Sequence, residues 1–393
     1  MPRLWIWLAT RPGLEDRQKQ ALLQHFRSPE EIYVAEDYRG VPEITEKHWE
    51  SLRDRDLTEA EKILGQCNAL GIKLLTYHDP LYPQRLKQIH DAPVLLYYKG
   101  QLPQFDRLPV IGVVGTRKAS FYGQKAARQL GGEIAACGGL VVSGMAEGID
   151  AQATEGALQA DRLAVGVLGS GVDRVYPAVN RKLFQAVEQH GCLISEFPPG
   201  TLPQKWTFPR RNRLISGLSC GVVVVEAPER SGALITANRA LEQDRDVFVV
   251  PGHLDEPNCA GSNALLRQGA IMVTCGWDVV SEYEHQFPNV IEKRAFVPEK
   301  LPEPELPAAA DKPVKNAAPA ASAVPAANIE KLAATLSADQ QKLLELLQEG
   351  EQLVDDLILR SGLSSGAVLG AITMMEIRGI VKTLPGDRVA IQS

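Results

Sequence analysis

Seven short apolar runs punctuate the middle of this chain, at residues 110–115, 140–143, 163–168, 192–195, 221–226, 247–250 and 271–274. Between them lie longer amphipathic stretches, at 123–137, 150–160, 179–190 and 231–243. Runs that are apolar at successive positions, not at every second one, read as strands covered on both faces. Their alternation with helices predicts an α/β domain with a parallel sheet over residues 72–297. In such sheets ligands bind where the strands end at their carboxyl side.

The flanks have other patterns. Residues 1–71 place apolar side chains at helical spacing, as in Ala21, Leu22 and Phe26. Ser28 followed by Pro29 reads as an N-cap with proline at the first helical position. Stretches 45–52 and 58–70 repeat the pattern, and Gly71 stops the last one. A small helical domain follows, with packing or docking as its simplest role. Residues 298–334 form a Pro/Ala-rich linker. Seven prolines and ten alanines fall in the 31 positions 298–328, which leaves little to bury. Residues 335–393 predict three helices, the first from Ser337, the second over 353–361 and the third from Ser364 to Arg378. A hairpin then turns at Pro385-Gly386-Asp387. Helix-turn-helix plus hairpin is a winged helix. From Ser337 to Ser393 there are five Lys/Arg against eight Asp/Glu. Phosphate contacts dominate DNA affinity, so this unit suits a protein-contact or auxiliary role.

Composition narrows the chemistry. The 393 residues are 45% hydrophobic and 23% charged, with net charge −6, so any nucleic-acid site is a local patch on an acidic protein. The six cysteines form no C-x-x-C pair and the seven histidines no H-E-x-x-H. They read as buried thiols of a reducing compartment, and neither metal nor cofactor is expected. The apolar run 4–9 is too short for a signal peptide, and no run approaches a membrane span. The expectation is a cytoplasmic protein with no membrane segment.

Candidate binding residues gather at the strand ends. Gly115-Thr116-Arg117 stands where a dinucleotide fold carries its glycine fingerprint, which is missing here. An arginine at such a turn suits phosphate, although pairing with a nearby carboxylate is the plain alternative. Ser143 to Asp150 and Leu168-Gly169-Ser170-Gly171 are further small-residue turns, and Asp150 reads as the cap of the next helix. The segment Lys205-Trp206-Thr207-Phe208-Pro209-Arg210-Arg211-Asn212-Arg213 is the most informative. It holds four cations, two rings and no carboxylate, the ingredients of a single-strand site. It reads as a loop before a helix over 211–219, in which one arginine is free to pair with Glu196 or Glu226. Asp173, Glu196 and Glu226 lie near strand ends, but no nucleophile-base pair organises them, so no enzyme is expected.

These motifs resemble the DprA/Smf family of bacterial DNA-processing proteins. The carrying stretches are Val114-Gly115-Thr116-Arg117, Ser143 to Asp150, Phe208 to Ser219, Val224 to Ala227, Ser231 to Ala237 and Val250-Pro251-Gly252, with Gly261-Ser262-Asn263 and Gly269-Ala270 after them. The match is close over about 72–285. The resemblance implies an extended Rossmann-like domain between a small SAM-like or helix-hairpin-helix-like helical domain and the winged helix. It also implies binding of single-stranded DNA, a homodimer, protection of incoming DNA in natural transformation, and loading of the RecA recombinase. Its pocket residues fall on Arg117, Lys205, Phe208 and Arg213, lined by Gly169 and Ser170, with Arg210, Arg211 and Asn212 between. Leu265, Leu266 and Ile271 mark the dimer surface by the same analogy, with core packing as their alternative. Where the family usually has histidine, this chain has Thr154.

Two rivals come from other classes. A phosphoribohydrolase of the lysine-decarboxylase-like type shares the core but needs a Pro-Gly-Gly-x-Gly-Thr signature, which this chain lacks. A winged-helix regulator would need a more basic recognition helix.

Overall fold

The structure, a computed structural model, describes residues 2–299, 337–347, 352–363, 365–377, 380–384 and 388–391. The expected linker from residue 300 onward, the Ser364 cap, Arg378 and the Pro385-Gly386-Asp387 turn lie outside the described residues. The chain divides into two compact units after Pro307.

The first unit opens with five helices: α1 (Pro2–Ala9), α2 (Asp16–Phe26), α3 (Pro29–Val34), α4 (Glu46–Arg53) and α5 (Thr58–Leu70). The Ser28 hydroxyl accepts the Glu31 N–H, and Pro29 begins α3. Gly71 ends α5 at φ 65°, the left-handed region that glycine enters without penalty. Residues 4–9, expected only to be apolar, form most of α1. Trp5, Trp7, Leu22 and Tyr38 share one core with Val94, Leu95 and Tyr97 of the sheet.

A nine-stranded sheet follows: β1 (Lys73–Thr76), β2 (Leu95–Gly100), β3 (Val110–Val114), β4 (Leu140–Ser143), β5 (Ala164–Val167), β6 (Cys192–Ser195), β7 (Gly221–Val224), β8 (Asp246–Val249) and β9 (Ile271–Met272). Their spatial order is β1-β2-β6-β5-β4-β3-β7-β8-β9. The seven strands β3 to β9 pair in parallel. Here the structure adds to the expectation. β1 and β2 pair antiparallel beyond β6 and make the sheet mixed. They are only partly covered, so they lack the fully apolar signature of the inner strands.

Helices α6 (Gln84–Lys87), α7 (Phe121–Ala136), α8 (Ile149–Gln159), α9 (Arg181–His190), α10 (Thr207–Leu218), α11 (Gly232–Glu242), α12 (Ala260–Arg267) and α13 (Gly276–Val280) complete the unit. β3 shows why its strand is apolar throughout. Ile111 and Val113 face one core, while Val110 and Val114 face the other. α7 and α8 lie close because glycines face backbone. A Cβ on Gly131 would strike the Ala153 carbonyl, and one on Gly156 the Arg128 carbonyl.

The second unit holds α14 (Ala338–Leu347), α15 (Val354–Ser361), α16 (Ser365–Ile377) and a three-stranded sheet of β10 (Gln352–Leu353), β11 (Val381–Leu384) and β12 (Arg388–Ile391). Leu343, Leu347, Leu357, Val368, Met375, Val381 and Val389 form its core. This is the winged-helix arrangement. No helix of the described residues is long and apolar enough to cross a membrane.

Candidate nucleic-acid interface

Strand order fixes where a site forms. β4, β5 and β6 step away from β3 on one side, and β7, β8 and β9 on the other. The connections after β3 and β7 therefore diverge and leave a crevice at their carboxyl ends, the usual ligand position in open α/β sheets. The two turns are tied by the Thr116 N–H donating to the Glu226 carbonyl at 2.7 Å. A cavity of about 400 Å³ lies there, with Thr116, Arg117, Phe208, Arg211 and Thr236 among its lining.

At the rim, Arg117 and Phe208 meet. The guanidinium carbon of Arg117 stands 5.0 Å from the Phe208 ring centroid. Arg117 is exposed, with no hydrogen bond or ion pair to a described residue. The Phe208 ring is half-buried and lies 5.8 Å from the ring of Tyr176. Gly169 lets that ring close in, since a Cβ there would lie 3.1 Å from Phe208 Cδ1. Ser170 is buried beside it, and its hydroxyl donates to the Gly171 carbonyl at 3.4 Å. Lys205 is exposed just before α10, next to exposed Trp206. The structure thus brings Arg117 and Gly169 together around the Phe208 ring, while Ser170, next in the chain, turns its hydroxyl to its own loop. Tyr176 was missed in the sequence, although it stands in the loop that begins at Gly169.

The arginines of α10 are placed otherwise than expected. The helix starts at Thr207, not at Arg211. Pro209 falls in its first turn, where a missing N–H costs nothing. A helix turns about 100° per residue, so the basic run is split between faces. Arg213 is 4% exposed and is not on the rim. Its Nη2 meets the Asp16 carboxylate at 2.9 Å and also the Glu196 carboxylate, while its Nη1 donates to the Asp91 carbonyl at 2.5 Å. Arg210, one turn away, pairs with Asp16 at 2.9 Å and Glu196 at 3.2 Å, keeping 41% of its side chain exposed. Lys19 joins the cluster at 3.4 Å from Asp16. Burial pushes the Glu196 carboxyl above its ordinary pKa, against the pull of Arg213. This buried network locks α2 to α10.

Arg211 points to the sheet. Its Nη1 donates to the Gly144 carbonyl at 2.5 Å and the Val167 carbonyl at 2.6 Å, at the ends of β4 and β5. Its Nε donates to Asn212 Oδ1, and the Asn212 amide donates to the Gly232 carbonyl. Burial lowers the Arg211 pKa to about 10. Arg211 and Asn212 therefore shape the floor of the crevice rather than its rim. Asp150 lies in the first turn of α8, whose N-cap is Gly148, and its carboxylate accepts the Gly144 N–H at 3.1 Å. Glu226 is fully buried and accepts the Ser120 N–H at 2.9 Å, fixing the start of α7. Thr154 bonds the Asp150 carbonyl inside α8, so the position of the family's histidine is a core position here. Five cysteines are buried and Cys275 is partly so. Among the described residues no group of three His, Cys, Asp or Glu could hold a metal.

Of the three proposed dimer residues, Leu265 is 6% exposed and belongs to the core. Leu266 is half-buried. Ile271 is exposed on β9, the edge strand, beside Met272.

A family model described as DNA recombination-mediator protein A matches residues 73–284, and the DprA winged helix domain matches residues 325–387. The fold therefore defines a recombination-mediator domain followed by a winged helix. The chain belongs to the DprA/Smf family of DNA-processing proteins. It is 32% identical to Protein Smf of Synechocystis over 84% of this chain and 85% of that one. It is 41% identical to the DNA processing protein DprA of Bacillus subtilis over 56% of this chain and 74% of that one. Among solved structures, DprA from Streptococcus pneumoniae superposes with a TM-score of 0.59 at 32% identity, covering 72% of this chain and 98% of that one. The DNA processing protein A of Helicobacter pylori, whose structure describes a single-stranded DNA binding mode, superposes at 0.50 and 29% identity over 55% of this chain and 96% of that one.

Proposed function

We propose that this chain binds single-stranded DNA along the carboxyl edge of its sheet, with Arg117, Lys205 and Phe208 as the contacting side chains. The observation that carries the reading is the exposed, unpaired Arg117 stacked on the half-buried Phe208 at the mouth of the switch-point crevice. A guanidinium over a ring presents a phosphate fork and a stacking surface side by side. A base laid on such a surface contributes ~1–3 kcal/mol by stacking. Tyr176 extends the surface. Duplex DNA keeps its bases stacked inward and gains only the phosphate contacts. Arg213 is withdrawn from the phosphate-binding set, because Asp16 and Glu196 already neutralise it.

The reading is of a binding protein acting in the cytoplasm. One such site is weak, and two copies on one strand gain by effective concentration. The exposed Ile271 and Met272 on edge strand β9 support pairing of two copies there. Protection of strands entering during transformation, and hand-over to RecA, are part of this reading and rest on the family resemblance alone.

Fluorescence anisotropy with a labelled dT20 strand and the matching duplex, over a salt series, tests the reading. Arg117→Ala and Phe208→Ala should each weaken strand binding and leave the fold intact. Equal affinity for strand and duplex, or unchanged binding in both variants, would remove it.

A further inference from the structure

A second pair of rings stands on the carboxyl edge of the sheet, apart from Phe208 and Tyr176. α7 opens with Phe121 and Tyr122, and Phe121 is 85% exposed. The start of this helix is otherwise complete. Ser120 caps it by accepting the Gly123 N–H, and the Glu226 carboxylate accepts the Ser120 N–H at 2.9 Å. The positive end of α7 is thus answered within the fold, and the Phe121 ring adds little to packing. Tyr122 is held in place. Its hydroxyl donates to the Pro251 carbonyl at 3.0 Å, and its ring meets the His253 ring edge-on at 6.1 Å. Tyr122 still exposes a large part of its surface.

Cations flank these rings. Lys118 precedes them in the chain, and Lys125 follows Phe121 by one helical turn, on the same face. Both are exposed and form no ion pair with a described residue. In the neighbouring loop after β8, Glu256 caps a turn by accepting the Asn258 N–H, and Asp255 is the exposed carboxylate. The patch continues the strand-binding rim. The Asn258 amide donates to the Lys118 carbonyl at 2.9 Å, tying the connection after β8 to the one after β3. Tyr176 stands after β5, Arg117 after β3 and His253 after β8, and the sheet order across them is β5-β4-β3-β7-β8. Neighbouring strands lie about 4.8 Å apart, so this stretch of edge is roughly 19 Å long. At ~3.4 Å per stacked nucleotide it spans about five nucleotides, more than the Phe208 ring alone can serve.

We propose that Phe121 and Tyr122 form a second stacking station, at which a single strand lying on the Phe208 ring continues across the β3 connection toward β8, with Lys118 and Lys125 on its phosphates. The proposal rests on the strand-binding reading and extends it: the strand crosses the sheet edge instead of ending at the crevice. Aromatic faces set along a basic track are what sequence-tolerant single-strand binders use. Lysine is depleted at protein–protein interfaces, whereas phosphates call for it. Two rings between two unpaired lysines therefore suit a strand better than a folded partner.

Variants of Phe121 in the full chain test it, with labelled dT20 followed by anisotropy. Phe121→Ala should weaken dT20 binding by about fivefold or more, as the loss of one stacked base does. Its urea midpoint should stay at the natural value, because the ring is exposed. Phe121→Tyr should restore the affinity. Phe121→Trp puts a fluorescent ring at the station, and dT20 should quench its emission beyond the change seen in the natural protein. Natural dT20 affinity in Phe121→Ala, or no added quench in Phe121→Trp, would overturn the proposal. So would a sedimentation coefficient that falls in Phe121→Ala while dT20 affinity holds, which would make the patch a contact between copies. Phe208→Ala tells this failure from failure of the underlying reading. Weakened binding in Phe208→Ala with natural affinity in Phe121→Ala removes only the extension, whereas natural affinity in both removes the rim site as well.

Discussion

Arg213→Ala separates a structural arginine from a DNA-binding one. The side chain is 5% exposed and bridges Asp16 on α2, Glu196 after β6 and the Asp91 carbonyl. Truncation leaves two carboxylates, 7% and 3% exposed, sharing only Arg210 and Lys19. Breaking a buried pair by removing one partner costs about 3–5 kcal/mol, a large part of the roughly 5–15 kcal/mol that holds a domain folded. The deficit should depend on pH. Losing Arg213 removes a pull that lowers the Glu196 pKa, so the already raised folded value climbs further. The folded state then holds more protons than the unfolded one in the window above the ordinary Glu value, and stability falls as pH rises through it. The loss should therefore be greater at pH 8 than at pH 5. Urea unfolding followed by tryptophan fluorescence reads this directly, since Trp5, Trp7, Trp49, Trp206 and Trp277 all lie in the first unit. An unchanged midpoint with dT20 binding weakened tenfold would return Arg213 to the phosphate track and refute the reasoning.

Further perturbations have distinct readouts. Phe208→Ala should weaken dT20 binding by ~1–3 kcal/mol in anisotropy with little change in duplex binding. Lys205→Ala should reduce the slope of log affinity against log salt by about 0.7 if Lys205 meets one phosphate, and an unchanged slope would remove it from the site. Met272→Lys on the edge strand should shift sedimentation velocity toward monomer and leave the unfolding midpoint unchanged. Gly156→Ala should destabilise the first unit, by roughly 1–3 kcal/mol for overpacking, because the new methyl meets the Arg128 carbonyl in the α7–α8 contact; a midpoint equal to that of the natural protein would contradict the close approach.

What the sequence made legible follows from burial. β3 to β8 are buried almost throughout and announce themselves as apolar runs, so their positions were readable to within about two residues; β9, apolar too, lies exposed at the sheet edge. β1 and β2, half-covered, carry mixed side chains and did not stand out. The turns at Gly115-Thr116-Arg117 and Gly169-Ser170-Gly171 could be found because they follow such runs. The arginine run was harder. The stretch reads as a loop before a helix at Arg211, yet a helix tolerates proline in its first turn, and once Thr207 starts the helix the four cations part company. Arg210 and Arg213, three apart, share one face and find Asp16, a residue 194 positions away from Arg210 that no local pattern connects to it. Arg211 turns to the strand ends. Composition reveals a cluster of charge, but only the helical phase decides which members reach solvent.

The central claim is that a single strand lies over Phe208 and Tyr176 beside Arg117. Photo-crosslinking of a 5-iododeoxyuridine strand to the full chain, with the modified peptide mapped by mass spectrometry, tests it at the level of side chains. The account predicts crosslinks at Phe208 or Tyr176 that vanish when excess dT20 competes. Crosslinks confined to the winged-helix unit, with none in the first unit, would contradict it.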